Sequence, residues 1–363
     1  MKIVRWIFLF INFVFILLAL ATFWGSTISP EKFVVLAYFA LVTPIVLFFN
    51  VVFVVFWIVF RKWYFLFSIA LLIFSYPKIK VVFPVNFNSE KKEISTTDFT
   101  LMTYNTWYFG GVKKHTNESA NKVVQHLLDS DADIICMQEF VVTTNYLTEK
   151  DIFEIFKKYP YKHIYYKNER SYQKSGVATF SKYPIIKKGI IDIPSEINST
   201  IFSDIVIGKD TIRLINCHLE SNKLTEKDKA MPLELRKNFG IENLSNVTQH
   251  LSRKLGNAYK MRAKQADIVA EQIEKSPYKT IVCGDFNDVP LSYSYTKIKG
   301  NDMQDTFETL GFGFGNTFHE GFYNFRIDYI LCDQNFIPLQ FAREKVNYSD
   351  HYPLTCRLKI KKQ

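Results

Sequence analysis

Cysteine is scarce. The 363 residues hold five, Cys136, Cys217, Cys283, Cys332 and Cys356. The number is odd and no CxxC pair occurs, so neither a disulfide framework nor a paired-thiol metal knuckle organises this chain. Each cysteine sits in an apolar, strand-like run and reads as a buried core thiol. Charge is missing more conspicuously: Trp6–Pro30, Phe33–Phe60 and Trp63–Pro77 contain no Asp, Glu, Lys or Arg. Almost nothing polar in these stretches faces water, which excludes an ordinary soluble helical core. No small-x-small site follows the first stretch and a second comes at once, which argues against a cleaved signal peptide. Internal repeats are also absent.

What is present in the first ninety residues is membrane-spanning material. A bilayer core needs about 20 apolar residues at about 1.5 Å each. The first two stretches meet this easily. The third does so only if Lys78 and Lys80 snorkel and Val81–Phe83 extend it. Residues 1–84 are thus expected to form two to three transmembrane helices, with a polar linker at 85–97 and one domain at 98–363. Lys2 and Arg5 precede the first span, and Arg61 and Lys62 follow the second, whereas the loop Gly25–Lys32 has one Lys and one Glu. By the bias of basic residues toward the cytoplasm, the N-terminus and the Arg61–Lys62 turn lie inside, and everything after Phe83 lies outside if the third segment crosses. The chain reads as an integral protein of a bacterial inner membrane. Its formal charge is +10, of which seven Lys/Arg and two Glu place +5 in residues 1–90, leaving +5 for the remainder. That mild excess suits a polyanion or an anionic lipid surface equally.

Beyond the linker, strand-like runs recur at Phe99–Thr106, Asp133–Phe140, His163–Tyr166, Gly176–Ser181, Thr211–Leu219, Thr280–Asn287, Phe325–Cys332 and Leu354–Ile360. Helical spacing appears in Ser119–Leu128, with Asn117 as the expected N-cap, and in Met261–Ile273. The mixture predicts one α/β or α+β domain with large sheets. Asn222–Gly256 is charged, contains Pro232 and Gly240, and reads as a helical or loop excursion, either a solvated surface or a substrate-contacting lobe.

Several of these runs end in polar residues. In "TIVCGDFNDVP" the apolar stretch closes on Asp285 and Asn287, which alternation places on one face. Asn105 ends "LMTYN", Glu139 ends "DIICMQE", His218 lies in "LINCHLE", Asp328 interrupts "FRIDYIL", and Asp350 and His351 precede the last strand. A single strand-end Asp is commonly a turn residue. Eight such residues in one domain, rich in oxygen and without accessible thiols, suit a hard divalent cation.

"TYNTW", "ADIICMQEF", "SGVATFSKYPI", "INCHLES", "VCGDFNDVP", "FRIDYIL" and "YSDHYPL", in this order, resemble the motifs of the endonuclease/exonuclease/phosphatase superfamily, the deoxyribonuclease-I-like fold. The resemblance runs from about Phe99 to Leu358. It implies a four-layer α/β/β/α sandwich and Mg²⁺-dependent hydrolysis of phosphate esters, with Mn²⁺ as a possible substitute. Carried over by position, Glu139 is the principal metal ligand, helped by Asn105 and Asp350. Asp285 and Asn287 orient the water and scissile phosphate or hold a second metal. His351 is general base or phosphate stabiliser, Asp328 fixes its imidazole, and His218 binds a phosphate oxygen. After Asn105 the chain reads "TWYFGG", unlike the Asn-Gly-Arg-like segment of abasic-site endonucleases. The expected activity is a membrane-anchored phosphodiesterase. Nucleic acid and phospholipid headgroups (sphingomyelinase-like) compete as substrates, with the bilayer as a partner. A phosphomonoesterase on inositol or sugar phosphates and an inactive scaffold are the alternatives.

Overall fold

The structure, a computed structural model, describes residues 2–87, 98–116, 119–237, 240–320 and 323–361, with backbone alone at 232–237 and 241. Four helices open the chain: α1 (Lys2–Gly25), α2 (Val35–Val59), α3 (Phe65–Phe74) and α4 (Tyr76–Val82). The first two are long and apolar enough to cross a membrane. The third apolar segment is not one rod, because α3 and α4 meet at an angle of 73°, at Ser75 and just before Pro77, which cannot continue a helix from behind.

Side-chain contacts give the course of this segment. Tyr64 packs on Trp57 near the end of α2, with ring centroids 5.1 Å apart. Leu71 meets Ala19 and Val46, and Lys78 reaches Ser26, in the turn after α1, at 3.4 Å. The pair α3–α4 therefore returns the chain from the Arg61–Lys62 end to the Ser26 end. A buried polar ladder ties the three helices together. Trp57 donates to Asn12 (3.0 Å), Asn12 to Ser68 (2.8 Å) and Ser68 to Asn50 (3.3 Å). Between apolar helices such bonds fix register.

The strands are β1 (Asp98–Asn105), β2 (Ile134–Thr143), β3 (Tyr161–Arg170), β4 (Gln173–Ser181), β5 (Ile185–Ile191), β6 (Thr200–Ile207), β7 (Asp210–His218), β8 (Lys279–Asp285), β9 (Met303–Asp305), β10 (Phe318–Glu320), β11 (Tyr323–Phe325), β12 (Asp328–Asp333), β13 (Phe336–Arg343) and β14 (Leu354–Ile360). They form two six-stranded sheets, ordered β13-β14-β1-β2-β4-β3 and β5-β6-β7-β8-β12-β9, and a small hairpin β10-β11. Leu101, Cys136, Leu214, Cys283, Ile330 and Cys356 fill the space between the sheets. Helix Lys122–Asp129 covers the outer face of the first sheet, and the long helix Ile241–Glu274 covers that of the second. The result is the expected four-layer α/β/β/α sandwich. All five cysteines are buried free thiols.

Details depart from the sequence reading. Asn117 lies outside the described residues. The helix starts at Lys122, and Asn121 caps it by accepting from the N–H groups of Val123 and Val124, as short polar side chains at this position do. The expected strand Phe325–Cys332 is interrupted: Arg326 turns inward to Asp305 at 2.8 Å and to the Val81 carbonyl. Of the segment 85–97, residues 88–97 lie outside the described residues. Val85 already bridges to Phe312, and Asn86 donates to Glu308 O and Gly311 O at 3.1 and 2.8 Å. Val81 and Val82 of α4 are buried in the outer core of the second sheet beside Leu219 and Tyr329.

Further contacts join the same end of the helical bundle to the domain. Tyr38 donates to the Ser252 carbonyl at 2.6 Å and packs edge-on against Tyr259. Glu31 faces Lys264 at 3.3 Å. Asn222–Gly256 is mostly helical, comprising Glu226–Lys237 and the first half of the long helix.

Candidate active site

Sheet register assembles the site. The parallel pair β7–β8 aligns His218 with Asp285, and the antiparallel pair β8–β12 aligns Asp285 with Asp328. Gly284 allows the first of these: its φ is +126°, and a Cβ there would lie 2.0 Å from the Cys217 carbonyl oxygen. From the other sheet, Asn105 ends β1. Glu139 sits at a bulge in β2 with φ of +52°, a device that redirects one side chain out of strand alternation. The Thr106 hydroxyl holds this bulge by donating to Gln138 O and Glu139 O, each at 3.1 Å.

Seven of the eight residues singled out from sequence line one cavity of about 380 Å³: Asn105, Glu139, His218, Asp285, Asn287, Asp350 and His351. The eighth, Asp328, stands behind His351 and accepts from its Nδ1 at 2.8 Å. Asp285 is the hub. Its Oδ1 accepts from the Asn287 N–H at 2.7 Å, and its Oδ2 accepts from the amides of Asn105 and Asn287 at 3.1 and 3.2 Å. The Nε2 atoms of His218 and His351 each lie 3.8 Å from Oδ2. Glu139 receives the Asn105 amide at 3.4 Å and faces His218 Nε2 at 4.0 Å. Asn287, with φ of +53°, also donates to the Leu219 carbonyl. Asp350 accepts from Ser349, whose hydroxyl also donates to the Asn105 carbonyl.

Burial and crowding set the electrostatics. Glu139 is pushed up to about 7 by burial and then by the Asp350 charge. Asp285 is pushed up to about 7 by burial and then by Asp328. Burial lowers His218 to about 3, so it is a neutral donor. Burial also opposes a charge on His351, but Asp328 and Asp285 outweigh it and raise the imidazole well above its ordinary value.

These donors fit a divalent cation. They are carboxylate and amide oxygens with imidazoles, a hard set. Glu139 is only 22% exposed, and the cations that line the cavity are engaged elsewhere. Lys223 pairs with Glu220 at 2.7 Å, Lys229 with Glu320 at 2.6 Å, and Arg262 with Asp288 at 3.2 Å. Carboxylates driven toward neutrality by burial and then by neighbouring charge are what a bound cation returns to the charged form. Asp285, Asp328 and His351 also offer ligand atoms within 4.8 Å of one another. There the Asp328–His351 bond already occupies one imidazole nitrogen.

The sequence reading missed the cavity's other walls. Trp107 and Tyr108 form a lip on a turn, Trp107–Val112, whose residues all have positive φ. Arg262, fully buried, ties the long helix to Asp288, Asn222 and the Glu220 carbonyl. Leu41 of α2 closes one side. No motif marks these residues; for Arg262 the signal would be a lone arginine on the apolar stripe Ala258–Val269.

A two-sheet α/β/β/α sandwich with acids, amides and histidines gathered at the ends of its strands is the architecture of a phosphoesterase-type fold. The profile of the Endonuclease/Exonuclease/phosphatase family matches residues 102–351, and the chain belongs to that family. Residues 5–82 match a domain of unknown function. No curated protein sequence matches the chain. Among solved structures, an endonuclease/exonuclease/phosphatase from Beutenbergia cavernae DSM 12333 is similar, with 14% identity, 73% of this chain and 72% of that chain covered, and a TM-score of 0.51. A family protein from Bacteroides thetaiotaomicron has 18% identity, 73% and 96% coverage, and a TM-score of 0.50. TDP2 of D. rerio, complexed with a single strand DNA product, has 16% identity, 72% and 99% coverage, and a TM-score of 0.49. At these identities the likeness concerns the fold.

Proposed function

We propose that this protein is a membrane-anchored, metal-dependent phosphodiesterase. The observation that carries the reading is the convergence of Asp285, the Asp328–His351 pair, His218 and Glu139 on one cavity. Glu139, Asn105 and Asp350 would hold a divalent cation, Mg²⁺ or Mn²⁺, which when bound neutralises the phosphate charge and lowers the pKa of a water.

The residues of the chain have separate tasks. Asp285 takes the proton of the attacking water; its three N–H donors and two flanking imidazoles hold the carboxylate in one orientation. As the water oxygen bonds to phosphorus, the opposite P–O ester bond breaks. His218 and the Asp328-held His351 donate to the oxygens on which charge grows. The proton for the departing alkoxide comes from His351 or solvent water. Anchoring rests on α1 and α2, each long and apolar enough to span, and on α3–α4, which returns the chain to the Ser26 end before the domain begins.

The test uses the full-length chain in detergent with bis(4-nitrophenyl) phosphate. Turnover is expected with Mg²⁺ or Mn²⁺ and lost with EDTA. Turnover indifferent to EDTA, or no hydrolysis with any divalent ion, overturns the reading.

A further inference from the structure

Helix α2 is not merely a tether. Leu41 lines the catalytic cavity, and a second cavity of about 90 Å³ continues from it, sharing Leu41, Val289 and Phe325 and running past Ala40, Pro44 and Phe314. Its wall toward the catalytic cavity is apolar: Ala40 and Val289 belong to one buried cluster with Ile327, with Leu41, Phe318 and Phe325 against it, while Thr43, Asn316, Asn324 and Arg326 line its other side. The helix is altered at this point. Pro44 removes the N–H that would bond to the Ala40 carbonyl, and the Thr43 hydroxyl takes its place at 2.9 Å. The rim is aromatic, with Phe314 46% and Phe312 57% exposed, and Phe83 packs on both.

From this we infer that the substrate is a membrane-lipid phosphoester that enters sideways, its phosphate at Asp285 and His351 and the first carbons of its chain between α2 and the hairpin β10–β11. The inference rests on the phosphodiesterase reading and narrows it. A groove that starts at the phosphate site and is walled by a membrane-crossing helix has one natural occupant, the alkyl part of a lipid already in that membrane. At about 30 Å³ per small group, 90 Å³ admits about three heavy-atom groups. The rest of the chain remains beside α2 in the bilayer. Charge points the same way. A nucleic acid is held mainly through successive backbone phosphates. Among the described residues, the Lys and Arg side chains that line the cavity are each paired with a carboxylate.

The full-length protein in mixed micelles is assayed on bis(4-nitrophenyl) phosphate, on phosphatidylcholine, phosphatidylglycerol and sphingomyelin, and on a single-stranded oligodeoxynucleotide. At least one lipid is expected to be cleaved. Ala40→Leu, which fills the groove, and Phe314→Asp, which makes its exposed rim polar, should each lower the ratio of lipid to soluble-diester turnover by about tenfold, the scale for altering an apolar subsite. Cleavage of the soluble diester without any lipid overturns the inference and leaves the phosphodiesterase reading standing. So does an unchanged ratio in both variants, or oligonucleotide cleavage that outpaces lipid and falls steeply with salt. If no phosphoester at all is cleaved, the phosphodiesterase reading itself fails, and this one with it.

Discussion

Asp328→Asn removes a charge and leaves the shape. Asp328 is 3% exposed and His351 is 4% exposed, and their 2.8 Å hydrogen bond orients the imidazole, whose Nε2 faces Asp285 at 3.8 Å. A bond to a charged partner contributes about 1–2 kcal/mol more than a neutral one. The amide can also turn its N–H toward Nδ1, which forces the imidazole into the other tautomer. Together these amount to about 3–4 kcal/mol of transition-state stabilisation, or a fall in kcat of about 10²–10³-fold. The fold should hold: the side chain is isosteric, and relief of the repulsion on buried Asp285 offsets part of the lost pairing with His351, so the melting temperature is expected to fall by no more than a few degrees. The assay is kcat on a soluble diester across a Mn²⁺ titration. Because Asp328 stands behind His351, the activation midpoint should stay within about threefold while the plateau drops. A normal plateau with a strongly weakened midpoint would show that Asp328 is a metal ligand, and the positioning argument would fail.

Glu139→Gln should behave in the opposite way, with a weaker Mn²⁺ midpoint and a loss of at least about 100-fold at fixed low metal; unchanged metal dependence would remove Glu139 from the site. Gly284→Ala puts a Cβ 2.0 Å from the Cys217 carbonyl at a φ of +126°. It should cost at least about 3 kcal/mol, read as a melting point lower by about 6–12 °C, and a wild-type melt would contradict the close approach of β7 and β8. A reporter that works only outside the cytoplasm, fused after Gln363, should be active. A well-expressed but inactive fusion, with a cytoplasmic reporter active at the same point, would mean that Trp63–Phe83 does not cross.

Legibility from sequence followed the physics of each element. The candidate residues stood out because they are polar at the ends of apolar runs; seven of the eight line one cavity, and Asp328 backs His351 from behind. Strands with an uninterrupted apolar run, such as Thr280–Cys283, or with clean alternation, such as Leu354–Ile360, were plain. β5 was not: in "IIKKGII" lysines and a glycine break any alternation, as suits an edge strand. β13 was hidden by Pro338, which sits at a register shift. Arg326 was read as strand and instead leaves it, because Asp305 and the Val81 carbonyl supply the partners that a buried guanidinium needs. The first half of the long helix was masked by a charged surface; its apolar neighbours, Val34 and Tyr38, come from the start of α2 and the residue before it, more than 200 residues earlier in the chain. No local pattern reports a surface that is completed from so far away.

The junction between α4 and the second sheet has a consequence for reach. Val81 and Val82 are buried in that sheet's outer core, Arg326 grips the Val81 carbonyl, and Tyr38 holds the Ser252 carbonyl. These attachments remove the slack that a tether would otherwise give. A domain on a loose tether samples many heights above a bilayer, whereas under the proposed anchoring this one would be held at a single height. Leu41 lies six residues past Val35, about 9 Å along the axis of α2, so the mouth of the cavity is fixed at that depth. The anchor then acts as a ruler. With the proposed lipid substrate, an ester bond seated a few ångströms too deep or too shallow would be passed over whatever its chemistry, and the search for substrate would become a two-dimensional one, governed by mole fraction in the surface rather than by bulk concentration.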